Sequence, residues 1–77
     1  MAYQVITEID NIQTSDTDWW MIYNADSLET ISPLMQCSGY TSSGTSSDVM
    51  VKGDDEAEIE QYIIDNDIKP FADDDII

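Results

Sequence analysis

Trp19-Trp20-Met21-Ile22-Tyr23 is the longest run of apolar residues in the chain. A run with no polar alternation, rich in aromatic side chains, predicts a strand covered on both faces and central in its sheet. Working outward, residues 3–9 alternate. Tyr3, Val5, Thr7 and Ile9 fall on one face and Gln4, Ile6, Glu8 and Asp10 on the other. That pattern predicts a strand with one face mostly in water. Asn11 to Asp18 is polar apart from Ile12 and reads as a turn or hairpin connection. Further on, Asp48 to Lys52 reads as a short strand, with Val49 and Val51 alternating with polar positions and Met50.

Two segments between these strands read differently. From Asp26 to Gly39 the residues support short helical turns: Asp26 with Glu29 resembles a capping pair, and Ser32 before Pro33 resembles a second start. A strand through the same residues is the competing reading. Residues 38–47 are mostly Ser, Thr and Gly, with Tyr40 the one aromatic, and read as a loop or long hairpin connection.

The clearest element is a helix over 54–66. Asp54, Asp55 and Glu56 crowd its first turn, where the helix dipole favours negative charge. Asp55 and Glu58 have the spacing of an acidic capping box. Ile59, Tyr62 and Ile63 share one stripe that docks on the sheet. Pro70 closes the short segment after the helix, and the tail 71–77 carries Phe71, Asp73, Asp74, Asp75 and two isoleucines. The elements add up to an α+β fold in a single domain over 1–77. It has a small antiparallel sheet of three or four strands and one C-terminal α-helix packed on it.

The surface of this domain is set by charge. Seventeen Asp and Glu stand against two Lys and no Arg, a net charge of -15 in 77 residues. Disorder is not the reading, because two Trp, four Tyr and a hydrophobic share of 42% are those of a chain with a core. On the helix, a 100° step per residue places Asp54, Glu58 and Asp65 on one flank and Glu56 and Glu60 on the other. Ala57, Gln61 and Ile64 lie between them, facing away from the core. Five acids within 54–60 span roughly 10 Å at ~1.5 Å per residue. That is about one charge per 2 Å, close to the ~1.7 Å per charge of duplex DNA. Like-charge pairs at i,i+4 each cost about 0.2–0.5 kcal/mol, and no Lys is placed to relieve them.

Catalytic and metal chemistry find little support. There is no histidine, the commonest metal ligand and acid–base group. Cys37 is the single cysteine, so no intrachain disulfide forms, a composition suited to a reducing cytosol. Asp16 with Asp18, Asp65 with Asp67, and Asp73 to Asp75 offer weak cation sites at best. After Asp65-Asn66-Asp67 come Lys69 and Pro70, without the Gly and Glu of an EF-hand loop. The Ser-rich 38–47 segment lacks the Gly-Lys-Ser/Thr of a phosphate loop. Trp19 and Trp20 have no basic residues around them to hold nucleic acid, and they read as core. The N-terminus lacks the basic and apolar segments of a signal peptide, and no apolar run approaches the ~20 residues of a membrane span. A surface this acidic also repels anionic lipid and nucleic acid. The expectation is a cytoplasmic protein that is not an enzyme and uses no cofactor or metal.

In size and charge alone the chain is similar to phage-encoded DNA mimics of the anti-CRISPR and anti-restriction kind; no family motif carries that similarity. It implies a small inhibitor, at work in a host cytoplasm, that occludes the basic groove of a DNA- or RNA-binding protein. The residues assigned to that contact are Asp48, Asp54, Asp55, Glu56, Glu58, Glu60, Ile64, Asp65, Asp73, Asp74 and Asp75, with Ile64 or Tyr40 as apolar anchor. Two other readings compete. One is an interaction or virion structural module that uses the sheet edge or the Trp19–Tyr23 strand. The other is a domain from a salt-adapted organism. A homodimer is compatible with so small a core, through an apolar interface. Whichever holds, self-repulsion opposes folding and salt screens it, since the Debye length falls from about 10 Å at 0.1 M to about 3 Å at 1 M. The melting temperature should rise between about 20 mM and about 500 mM NaCl; a fall over that range contradicts the reading.

Overall fold

The computed structural model describes residues 3–38, 41–43 and 45–71. The chain forms β1 (Tyr3–Ile6), β2 (Asp10–Gln13), β3 (Trp19–Asn24), β4 (Thr30–Gln36), β5 (Thr41–Ser43), β6 (Asp48–Gly53) and α1 (Glu56–Asp65). Four strands make an antiparallel sheet in the order β1-β6-β3-β4, and β2 pairs with β5 in a second, two-stranded sheet. The helix packs on one face of the larger sheet, so the fold is α+β.

β3 lies between β6 and β4, and its pleat feeds two cores. Met21 and Tyr23 point to the helix side, where they meet Val49, Val51, Ile59 and Ile68. Trp20 and Ile22 point to the other side, where they meet Met50 and Ile9, with Ile6, Ile12 and Cys37 packed around them. Trp20 is 1% exposed and Met21 0%. β6 pairs with β3 along its whole length, from Trp19 opposite Gly53 to Asn24 opposite Asp48, and it too is buried on both faces. Each of these buried side chains contributes about 1.5–3 kcal/mol through removal from water.

The structure corrects several sequence expectations. The N-terminal strand stops at Ile6, and Ile9 turns into the Trp20 core rather than sharing a face with Tyr3. The polar segment after it contains β2, whose Ile9 and Ile12 neighbourhood covers the face opposite the helix. The Ser/Thr segment supplies β5, its partner. Asp26 and Glu29 do not cap a helix. Asn24 Oδ1 instead accepts the backbone N–H groups of Asp26 and Ser27, both at 3.0 Å, and Leu28 sits in the left-handed region with φ 59. The chain then enters β4, the competing strand reading. Its pairing with β3 shifts twice, between Trp20 and Ile22 and between Ile22 and Tyr23. Pro33 sits within those irregularities, as proline does on an edge strand that lacks one donor. Bulges and proline also protect the edge against further strand pairing.

The helix starts at Glu56, with Asp55 as its cap; the Asp55 carboxylate accepts the Ala57 N–H at 3.0 Å. Its far end closes with Asp67 N–H on Ile64 O at 3.2 Å and Ile68 N–H on Ile63 O at 3.1 Å, the two bonds of a Schellman motif. Asp67 takes the left-handed conformation there, with φ 54, where glycine is the usual residue. The turn drives Ile68 into the core and lays Lys69 beside the start of β4. Lys69 N–H donates to Leu28 O at 2.7 Å, and Thr30 Oγ1 donates to Lys69 O.

Three tyrosines fasten the helix to the sheet. Tyr3 and Tyr62 meet edge to face with ring centroids 5.5 Å apart, and the Tyr23 and Tyr62 hydroxyls hydrogen-bond at 2.9 Å. Burial, then the hydrogen bond to Tyr62, pushes the Tyr23 phenol well above its ordinary range. A raised folded-state value means the neutral phenol is favoured by folding. Its contribution is therefore complete below pH ~10 and is lost as pH rises beyond it. Stability should hold flat from pH ~7 to ~9.5 and fall above pH ~10, less steeply in Tyr23→Phe. Tyr62→Phe should cost about 1 kcal/mol at neutral pH in chemical denaturation; an unchanged alkaline limb in Tyr23→Phe contradicts the assignment.

Candidate functional site

The helix has two unlike faces. Inward, Ile59 is 0% exposed, and Tyr62 and Ile63 pack partly buried beside it. Outward, Ala57, Gln61 and Ile64 are exposed, and Ile64 at 70% is the most exposed large apolar side chain among the described residues. Carboxylates stand on both sides of that ridge. Glu56 and Glu60 are exposed on one flank; on the other, Glu58 is half-buried and Asp65 exposed, with Asp54 exposed just before the helix. Gln61 Nε2 donates to Asp65 Oδ1 at 2.8 Å, which holds that carboxylate against the ridge.

The charge arrangement on the helix works against its own stability in part. Glu56 and Glu58 lie in the first turn, where the dipole favours them, but Asp65 lies in the last turn, which carries no basic residue. Glu56 and Glu60 are a like-charge pair one turn apart. Both lysines lie outside the helix, and Lys52 Nζ is 3.9 Å from Asp18. Because the helix begins at Glu56, its charge density differs from the value expected for residues 54–60. Four acids over ten residues, roughly 15 Å of axis, give about one charge per 4 Å. The comparable figure is the ~3.4 Å per charge of a single DNA strand, not the ~1.7 Å of the duplex.

The remaining assigned residues divide. Asp55 belongs to the helix cap, so its carboxylate has a structural task. Asp48 stands at the opposite end of β6 from the helix start, about 17 Å away at ~3.3 Å per residue. There it accepts from Thr45 N–H at 2.9 Å and from Asn24 Nδ2 at 3.4 Å, while nearby Ser47 Oγ donates to Asp26 Oδ2 at 2.6 Å. Asp48 is therefore a loop-closing residue and is not part of the helical face. Asp73, Asp74, Asp75 and Tyr40 lie outside the described residues.

Other candidates are placed as well. Among the described residues no group of three or more Cys, Asp or Glu is arranged to hold a metal ion. Cys37 is a free, half-buried thiol against the Trp20 core, and its carbonyl accepts from Thr14 Oγ1 at 2.8 Å. In the Trp19–Tyr23 run, Trp20 to Tyr23 are buried within the sheet, and only Trp19 at its start is half-buried. The strand's central place in the sheet also removes it as an edge. An open cleft of about 370 Å³ lies between Thr7–Asp10 and Thr45–Ser46, with Glu8 and Asp10 its only charged lining among the described residues. A feature with no signal in the sequence is an apolar groove of about 220 Å³ between β4 and the Glu60 flank of the helix. Among the described residues no helix is long and apolar enough to cross a membrane. The chain matches no family model, no curated protein and no solved structure.

Proposed function

We propose that the protein is a small non-enzymatic inhibitor that uses the outer face of α1 to occupy a Lys/Arg-lined nucleic-acid groove on another protein. The observation that carries this reading is the carboxylate-flanked ridge of Ala57, Gln61 and Ile64 on a helix with no cation. Acids averaging about one per 4 Å of helix axis, divided between the two flanks of the ridge, suit a groove whose basic side chains grip phosphates from both sides. The mechanism is competitive occlusion. Long-range attraction between a strongly anionic body and a cationic groove speeds encounter. Ile64, desolvated at the centre of the contact, then supplies the apolar anchor that slows dissociation. Asp65 in an unfavourable last-turn position and the Glu56–Glu60 pair are features that helix stability alone would select against, and a cationic partner relieves both. The partner class is a CRISPR effector, a restriction nuclease or a similar DNA- or RNA-binding protein.

A fluorescence-anisotropy competition between the protein and labelled DNA, over a panel of such effectors and nucleases, tests the reading. Neutralising Glu56, Glu58, Glu60, Asp54 and Asp65 to Gln or Asn, with the Asp55 cap kept, should weaken inhibition by about tenfold or more, at ~0.2–1 kcal/mol per exposed pair. Ile64→Ser should weaken it by a similar factor. Ile64→Ser should change stability by no more than ~0.5 kcal/mol, and the five neutralisations by no more than ~0.5 kcal/mol each. Inhibition that survives neutralisation of this face unchanged contradicts the proposal.

A further inference from the structure

Beside the acidic ridge, on its Glu60 flank, the helix and β4 enclose an apolar groove of about 220 Å³. Met21, wholly buried in the sheet, forms its floor; Leu34 and Ile63 form the walls; Pro33 and Phe71 lie at the rim. Among the described residues Glu60 is the one charged side chain that lines it. Glu56 stands one turn back on the same flank, and Lys69 is next to Pro70 at the other end. A cavity of ~150 Å³ lined by apolar side chains already accepts benzene, so this groove has room for an aromatic or large aliphatic side chain. Because Glu60 lines the groove, a segment that enters it meets that carboxylate, with Glu56 one turn away on the same helix flank.

We infer that the groove takes a single aromatic or aliphatic side chain from a Lys/Arg-bearing segment of the partner, docked alongside the helical ridge. This rests on the proposed function and adds a specificity pocket to it. Charge complementarity selects this occupant. A second copy would bring another chain of net charge -15 against Glu56 and Glu60. The chain's own Ile76 and Ile77 are preceded by Asp73, Asp74 and Asp75, like-charged with the same flank. A basic segment meets neither repulsion, and its cations pair with the two glutamates while the apolar side chain fills the space over Met21.

The test is an NMR titration of the full chain with two peptides, acetyl-Lys-Arg-Phe-Arg-Lys-amide and its Phe→Ala counterpart, at low salt. The Phe peptide should bind about tenfold tighter and shift the methyl signals of Met21, Leu34 and Ile63. Filling the groove by Leu34→Trp, or by Pro33→Trp at the rim where the first variant does not fold, should remove the difference and leave Ala-peptide binding in place. Equal affinities, with shifts only at Ala57, Gln61 and Ile64, overturn the groove assignment and leave the acidic face standing. No binding of either peptide overturns both. Tighter binding of the Phe peptide only in an Ile76→Ser/Ile77→Ser variant makes the tail the occupant. Concentration-dependent broadening at Leu34 and Ile63 without peptide makes it a second copy. Either result overturns the inference.

Discussion

Water is excluded from both faces of β3, so its peptide groups must find partners along both edges and its side chains must be covered on both sides. The rest of the architecture answers those two demands. β6 and β4 supply the edge partners, in antiparallel register. The helix, locked down by Ile59, Ile63, Ile68 and the tyrosine trio, covers Met21 and Tyr23. The small β2–β5 sheet and the Ile9 turn bring Ile9 and Ile12 over Trp20 and Ile22. A domain of this size has little core to spare; placing its largest apolar run at the centre of a three-layer stack makes each of those side chains count.

That interior leaves the surface free to be extreme. Folding has to overcome the repulsion among seventeen acids, and the molecule does so without distributing counter-charges over its exterior. Some acids are used locally: Asp55 caps the helix, and Asp26 and Asp48 tie the loops at the far end of β6. On the outer helix Asp65 accepts from Gln61, and Glu56 and Glu58 lie in the dipole-favoured first turn. Asp65 opposes the dipole and Glu56 with Glu60 repel, so the pattern is one that an external cationic surface would relieve.

The sequence is legible where a segment carries one strong signal. Trp19–Tyr23 declares a doubly buried strand through its unbroken apolar run, and Ile59, Tyr62 and Ile63 declare the inner face of the helix through their spacing. It is illegible where structure comes from distant pairing. β2 and β5 are polar, short and supported mainly by each other and by Ile9 and Ile12 reaching the Trp20 core, which no local pattern reveals. β4 is obscured by Pro33 and by an inverted pattern, since Thr30 and Ser32 take the more covered positions while Ile31 and Met35 are exposed. At the candidate site, helical periodicity places the ridge and its flanks, because one element carries them. Asp48 is separable from that face once 48–52 is read as a strand, because the extended chain at ~3.3 Å per residue already sets it about 17 Å from the helix start. The groove has no sequence signature because it forms between β4 and α1, across residues far apart in the chain.

An acidic helical face that exists to meet cations on another protein must bind that protein in a salt-dependent way. The most direct measurement is the affinity of the complex with an inhibited effector, titrated from about 0.1 M to about 1 M NaCl, where the Debye length contracts from ~10 Å to ~3 Å. A contact built on this face should lose affinity by about a hundredfold or more over that range. A complex that holds with unchanged affinity at ~1 M NaCl would contradict it.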